Sequence, residues 1–278
     1  MAISTSPMLE SVVDLFVRLD AWLSALIFAS LMLSGWWFGC RHRLTVTRKG
    51  ADASNPPLST RMEDAGLALF GLLLAFCFAG AATRYEARKQ VLLDDAMAIG
   101  GLATVASLLQ EPDRSSLQRE IRAYVAQRLV FGTTPLEDPK MPGLINQARA
   151  HHARMTTLVS GAIARNNTPS VHASLVTALN GVMDAADRRL QRVREHVPES
   201  IVLMLVVFGV FAAYTMGWLR DTQRAVVEDL PRIMAYVTLV GLVFFVTIDL
   251  EQPRRGLLRV SQAPMEELRS SLALPPAR

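Results

Sequence analysis

Four stretches of this chain carry no charged residue: Ala21–Cys40, Ala65–Ala82, Ile201–Leu219 and Ile233–Ile248. A hydrocarbon core about 30 Å thick takes roughly 17–25 apolar residues to cross as a helix. The first three runs reach that length. The fourth reaches it when Leu230 and Leu250 extend it and the intervening charges sit at the interface. Backbone polar groups in lipid must be satisfied within the segment, so runs of this length are read as helices. Buried core helices of a soluble protein are the rival reading, and four such runs in 278 residues argue against it. Charged residues still make up 19% of the chain, so greasy blocks alternate with charged ones. The expected class is all-α: an integral membrane protein with four transmembrane helices and a helical insert between spans two and three.

The expected organisation has five parts. Residues 1–20 form an N-terminal segment, and 21–82 a transmembrane hairpin with spans 21–40 and 65–82. Residues 83–200 form the extramembrane insert, and 201–250 a second hairpin with spans 201–219 and 233–250. Residues 251–278 supply a turn and a short helix. The opening MAISTSPMLESVVDLF has no basic leader, and RHR rather than a small-residue cleavage site follows the first run, so that span is expected to be retained.

Within the insert, the second span runs on without a breaker to near Glu111-Pro112. Leu117, Ile121, Tyr124, Val125 and Leu129 recur at the three-and-four spacing of an amphipathic helix. After the loop GTTPLEDPKMPG, helices are expected near Leu144–Arg165 and Pro169–His196, with Thr168 as N-cap and Pro169 in the first turn. No strand pattern, internal repeat or low-complexity tract is present.

Charge leaves the orientation open. Arg41, Arg43, Arg48, Lys49 and Arg61 place the loop after span one in the cytoplasm by the positive-inside rule. Arg84, Arg88, Lys89, Arg188, Arg189, Arg192, Arg194, Arg254, Arg255 and Arg259 place the insert there instead. Other function classes are excluded more clearly. There is no continuous basic face with interleaved aromatics, so no nucleic acid is expected as a partner. Cys40 and Cys77 lie in or beside apolar runs without ligand spacing, and among His42, His151, His152, His172 and His196 the one adjacent pair, His151-His152, has no acidic residue at metal-ligand spacing. No nucleophile elbow, phosphate loop or dinucleotide fingerprint occurs. The expectation is therefore no enzyme, no metal and no cofactor. Gly71, Ala75 and Ala79 lie four apart on span two, a stripe that lets helices approach closely in lipid.

Span four ends in IDLEQPRRGLLRVSQAPMEEL. Asp249 and Glu251 close it, Pro253 cannot continue a helix, and Gly256 permits a turn. Ser261 can cap a new helix with Pro264 in its first turn. Local propensity accounts for an exit and a reversal, but not for so tight a spacing of acid, proline, arginines and glycine.

Together with GLALFGLLLAFCFAGAATRYEARKQVLLDDA, that stretch resembles a bacterial membrane family with a bestrophin-like domain, over nearly the whole chain from about Ala65. Arg84 and Tyr85 match the family's Arg-Tyr pair. Asp249, Pro253, Gly256, Arg259, Val260, Ser261 and Pro264 match its segment after the last span. Lys89 stands at the family's arginine position, and Arg254 where an aromatic follows the proline. More distantly both ends are similar to bestrophins, which form homopentameric chloride channels with the second span lining the neck. The resemblance implies a homo-oligomer in a bacterial cytoplasmic membrane, with the lipid bilayer and anions as partners and the insert in the cytoplasm. The implied pore-facing series is Ala68, Leu72 and Phe76, with Arg84 at its exit. No acidic cluster corresponds to a calcium clasp, so calcium gating is not implied. The alternative is a non-conducting membrane scaffold or sensor whose insert binds a protein partner.

Overall fold

The computed structural model describes residues 19–48, 60–165, 169–195, 199–219, 226–252, 254 and 256–273. Among them are eight helices and no strand. In chain order these are α1 (Ala21–Arg48), α2 (Thr60–Ala106), α3 (Asp113–Thr133), α4 (Met141–Arg165), α5 (Pro169–Arg194), α6 (Glu199–Trp218), α7 (Val226–Glu251) and α8 (Ala263–Ala273). Four are long and apolar enough to cross a membrane, over Ala21–Val46, Asp64–Ala106, Ser200–Trp218 and Val227–Glu251. The chain is an all-α membrane protein.

Two compact units share the chain. The first comprises Met1–Arg84 and His196–Leu258, the second Tyr85–Glu195 and Arg259–Arg278. In the first unit, α1 packs along α6 and against α7. Small residues let the α1 and α6 backbones meet. A methyl group on Gly39 would strike the Tyr214 carbonyl oxygen, and one on Gly217 the Trp36 carbonyl oxygen. Packing of this kind drives helix association in lipid, where burial alone gains nothing. Between the helices sit Phe28, Met32, Phe70 and Phe244, with the Phe28 and Phe244 rings 4.4 Å apart.

In the first unit, the end of α1 and the start of α7 differ from expectation. The first span was expected to stop at Cys40, but α1 continues to Arg48. Charges end a membrane segment without ending a helix, and nothing from Arg41 to Arg48 breaks one. The Arg41 guanidinium lies 4.9 Å over the Trp37 ring and that of Arg43 lies 5.7 Å over Trp218. Helix α7 begins at Val226, ahead of the charge-free run, and takes Pro231 early in its course. Glu228 and Asp229 in its first turn complement the helix dipole.

The second unit packs the outer part of α2 with α3, α4, α5 and α8 around Ile99, Leu102, Ile121, Tyr124, Met155, Leu175 and Met265. Leu117, Ile121, Tyr124 and Val125 are buried as the spacing predicted, and Leu129 packs at the edge. Helix α2 ends at Ala106, sooner than Glu111-Pro112. The N–H groups of Leu108 and Leu109 turn back onto the carbonyls of Val105 (3.1 Å) and Ala106 (3.2 Å). Helix α4 starts at Met141, whose N–H bonds to the Asp138 carbonyl at 2.9 Å. Thr168, expected as an N-cap, lies outside the described residues.

Candidate functional site

Within the first unit, α2 is the span its own chain covers least. Phe70, Leu74 and Ala81 are buried. Ala68, Leu72 and Phe76 are exposed, the last two at 53% and 67%. Ala75 and Ala79 are exposed as well, and a methyl group on Gly71 would meet nothing within 4 Å. The small-residue stripe and the expected pore-facing series therefore share one broad uncovered side of α2. The stripe does not serve packing inside the chain.

At the end of this span Arg84 donates through Nε to Glu251 Oε1 of α7 at 2.7 Å. Its guanidinium lies over Gly80, where a methyl group would stand 3.4 Å away. The charge expected to face a pore is thus joined to a carboxylate.

Two residues before Glu251, Asp249 is 2% exposed and organises the exit from α7. Its Oδ1 accepts the N–H of Leu257 and its Oδ2 that of Leu258, each at 2.9 Å. The chain reverses between them, closed by the Gly256 N–H on the Gln252 carbonyl at 2.9 Å. A methyl group on Gly256 would overlap the Asp249 carboxylate. Pro253, in the middle of the motif, lies outside the described residues.

The remaining motif residues belong to the second unit. Tyr85 Oη donates to the Arg259 carbonyl in a long bond of 3.4 Å. Gln262 Nε2 reaches the Val260 carbonyl at 3.4 Å. Ser261 Oγ accepts the Ala263 N–H at 3.2 Å, while the Gln262 carbonyl accepts those of Met265 and Glu266 at 3.0 Å. Ser261 thus stands one residue ahead of the N-cap, and Pro264 falls in the first turn of α8. Each stretch of the motif meets the other: Arg84 with Glu251 in one unit, Tyr85 with Arg259 in the other.

A family model described as the Bestrophin-like domain matches residues 65–265, most of the chain. The chain belongs to this family. No curated protein and no solved structure matches it. The matched region starts inside α2 and ends inside α8, so it takes in Arg84, Tyr85 and the whole stretch from Asp249 to Pro264.

The bestrophin-like chain also holds a buried polar cluster that periodicity did not reveal. Asp95 of α2 is fully buried, and its Oδ2 accepts Arg128 Nε (2.9 Å), Arg128 Nη2 (2.6 Å) and Arg189 Nη1 (2.9 Å). Arg189 Nη2 donates onward to Gln262 Oε1 at 2.9 Å, just ahead of α8. Gly132 makes room, since a methyl group there would overlap the Gln262 amide oxygen. The cluster therefore joins α2, α3 and α5 to the start of α8. Burial, and then the neighbouring Arg128, push the Arg189 pKa down to about 10, so it keeps its charge at neutral pH. The signal lay in position. Asp95 follows Val91 by four and precedes Ile99 by four, which puts a carboxylate inside an apolar stripe.

Beside the cluster, Tyr124 Oη and His152 Nε2 are 2.9 Å apart. Burial raises the Tyr124 pKa well above its ordinary value and is also the main cause lowering that of His152. His151 Nδ1 and Arg154 Nε each stand 2.7 Å from Glu120 Oε1. Both histidines thus join α4 to α3. Among the described residues no three His, Cys, Asp or Glu side chains group as a metal site. Arg88, one residue before the family's arginine position, is the buried member of its pair and donates to the Glu195 carbonyl at 2.9 Å. Lys89 is exposed and pairs with Glu86 at 3.1 Å.

Proposed function

We propose that this bestrophin-like membrane protein is a homo-oligomeric anion channel whose α2 helices line the pore. The observation that carries the reading is the uncovered side of α2, with Ala68, Leu72 and Phe76 exposed beside Gly71, Ala75 and Ala79. A small-residue stripe left unpacked by its own chain suits close contact with copies of itself in lipid. Leucine and phenylalanine beside it suit a hydrophobic constriction that gates ions by dewetting. Membership of the family supports a pentamer in a bacterial cytoplasmic membrane, with the insert in the cytoplasm and chloride as the permeant ion. The reading includes no catalysis and no cofactor.

A second reading, a non-conducting scaffold or sensor, is favoured by the Arg84–Glu251 pair, which offsets the charge a basic ring would need. The full chain in mild detergent separates the two, followed by chloride efflux from liposomes. A ring of copies, efflux above protein-free liposomes, and a flux altered by Phe76→Ala fit the channel. A monomer or dimer, or liposomes no leakier than controls, sinks it. A reporter fused after Arg278 reads the orientation.

A further inference from the structure

The uncovered side of α1 differs from that of α2. Trp22, Leu26, Ser30, Ser34, Phe38 and Arg41 follow one another at three-to-four spacing along it, all exposed. Ser30 and Ser34 donate their hydroxyls to the Leu26 and Ser30 carbonyls at 2.8 Å, so neither offers lipid an unmet donor. From Trp22 to Arg41 the stripe runs roughly 28 Å along the helix, close to the thickness of a hydrocarbon core. Tryptophan stands at both ends, where indoles prefer the headgroup level. Trp37 is 47% exposed and carries the Arg41 guanidinium 4.9 Å above its ring. Nearby, Arg43 lies over Trp218, and His42 Nδ1 is 2.7 Å from the Tyr214 hydroxyl.

We propose that this end of α1 seats the headgroup of an anionic phospholipid. The phosphate lies on Arg41 and one acyl chain lies along Phe38, Ser34 and Ser30. Stacking on Trp37 fixes the guanidinium at headgroup depth, and a planar guanidinium binds phosphate in two-pronged fashion. Arg43, two residues on, adds a second positive charge at this end of the helix, which favours anionic over zwitterionic lipid. A second copy of the chain is the less suitable occupant, because the stripe ends on a cation held outward by an exposed ring.

The test uses the full chain in mild detergent, titrated with phosphatidylglycerol or phosphatidylcholine. Thermal unfolding and lipid retained in native mass spectrometry are both recorded. Phosphatidylglycerol is expected to raise the unfolding midpoint and to be retained over phosphatidylcholine by about fivefold or more. Arg41→Gln is expected to abolish most of that preference, Arg41→Lys to keep part of it, and inorganic phosphate alone to shift nothing. Equal retention of the two lipids overturns the proposal, as does an unchanged preference in Arg41→Gln. So does a shift reproduced by free phosphate, or an Arg41→Gln effect confined to oligomeric state. If Arg41→Gln does not fold, Trp37→Leu replaces it: loss of the preference supports the site, and retention overturns it.

Discussion

Asp249 and Gly256 are in contact across the chain reversal that follows α7, so close that a single added methyl group would occupy the space of the carboxylate. The same carboxylate accepts the N–H groups of Leu257 and Leu258. Acid and glycine seven residues apart are therefore one device, in which the glycine lets the acid reach the backbone it caps. Asp249→Ala is expected to cost about 2 kcal/mol through two lost charge-assisted bonds. Gly256→Ala should destabilise the reversal while keeping the acid, and Asp249→Asn should be intermediate. Denaturant unfolding of the three variants in detergent checks the order. Equal stability of Gly256→Ala and the parent would show that the contact is relieved at no cost.

How much of this was legible in the sequence depends on what each residue type advertises. The four spans follow from charge-free length, and α3 follows from its apolar spacing. The reversal was visible only as crowding, because an acid seven residues from a glycine has no periodic signature. Asp95, Arg128 and Arg189 were missed for the opposite reason: charged residues on amphipathic helices read as solvated. Gly39 and Gly217 were passed over because a glycine in an apolar run shows its purpose only when the facing backbone is known. The small stripe on α2 was legible as a stripe, but whether its own chain covers it was not.

The Asp95 cluster predicts a loss confined to the second unit. Removing the acid leaves the Arg128 and Arg189 guanidiniums buried without their shared carboxylate. Breaking a buried pair in this way costs about 3–5 kcal/mol. Asp95→Ala should therefore speed amide hydrogen exchange in Tyr85–Ala106 and in α3. All tryptophans of the chain are in the first unit, so tryptophan fluorescence should change little. Faster exchange limited to Ala263–Ala273 would mean that the cluster only anchors α8.

His152 predicts a dependence on acid. Its folded pKa lies below the usual histidine value, first because of burial and then because of Arg128; Asp187 and Asp95 oppose this, and His151 adds to it. Above pH about 6.5 the residue is neutral in both folded and unfolded chains and contributes no pH dependence. As pH falls below that value the unfolded chain takes up a proton that the folded chain refuses, so stability declines until the lower folded pKa is passed. His152→Gln should flatten the part of the stability profile between pH 6.5 and the folded pKa. An identical profile in the parent and in His152→Gln would remove His152 as its source.

Gly39 and Gly71 separate packing within a chain from packing between chains. A methyl group on Gly39 meets the carbonyl oxygen of Tyr214, part of a rigid backbone, so α1 and α6 must move apart to accept alanine. Gly39→Ala is expected to lower the unfolding midpoint of the isolated chain. At Gly71 nothing lies within 4 Å, so Gly71→Leu should fold as the parent does, with unchanged helicity and unfolding in detergent that keeps chains apart. If copies of α2 meet along this face, the added bulk should shift Gly71→Leu to smaller assemblies and reduce chloride efflux together. Full-sized assemblies in Gly71→Leu would place the contact between copies elsewhere and leave the exposed stripe to lipid.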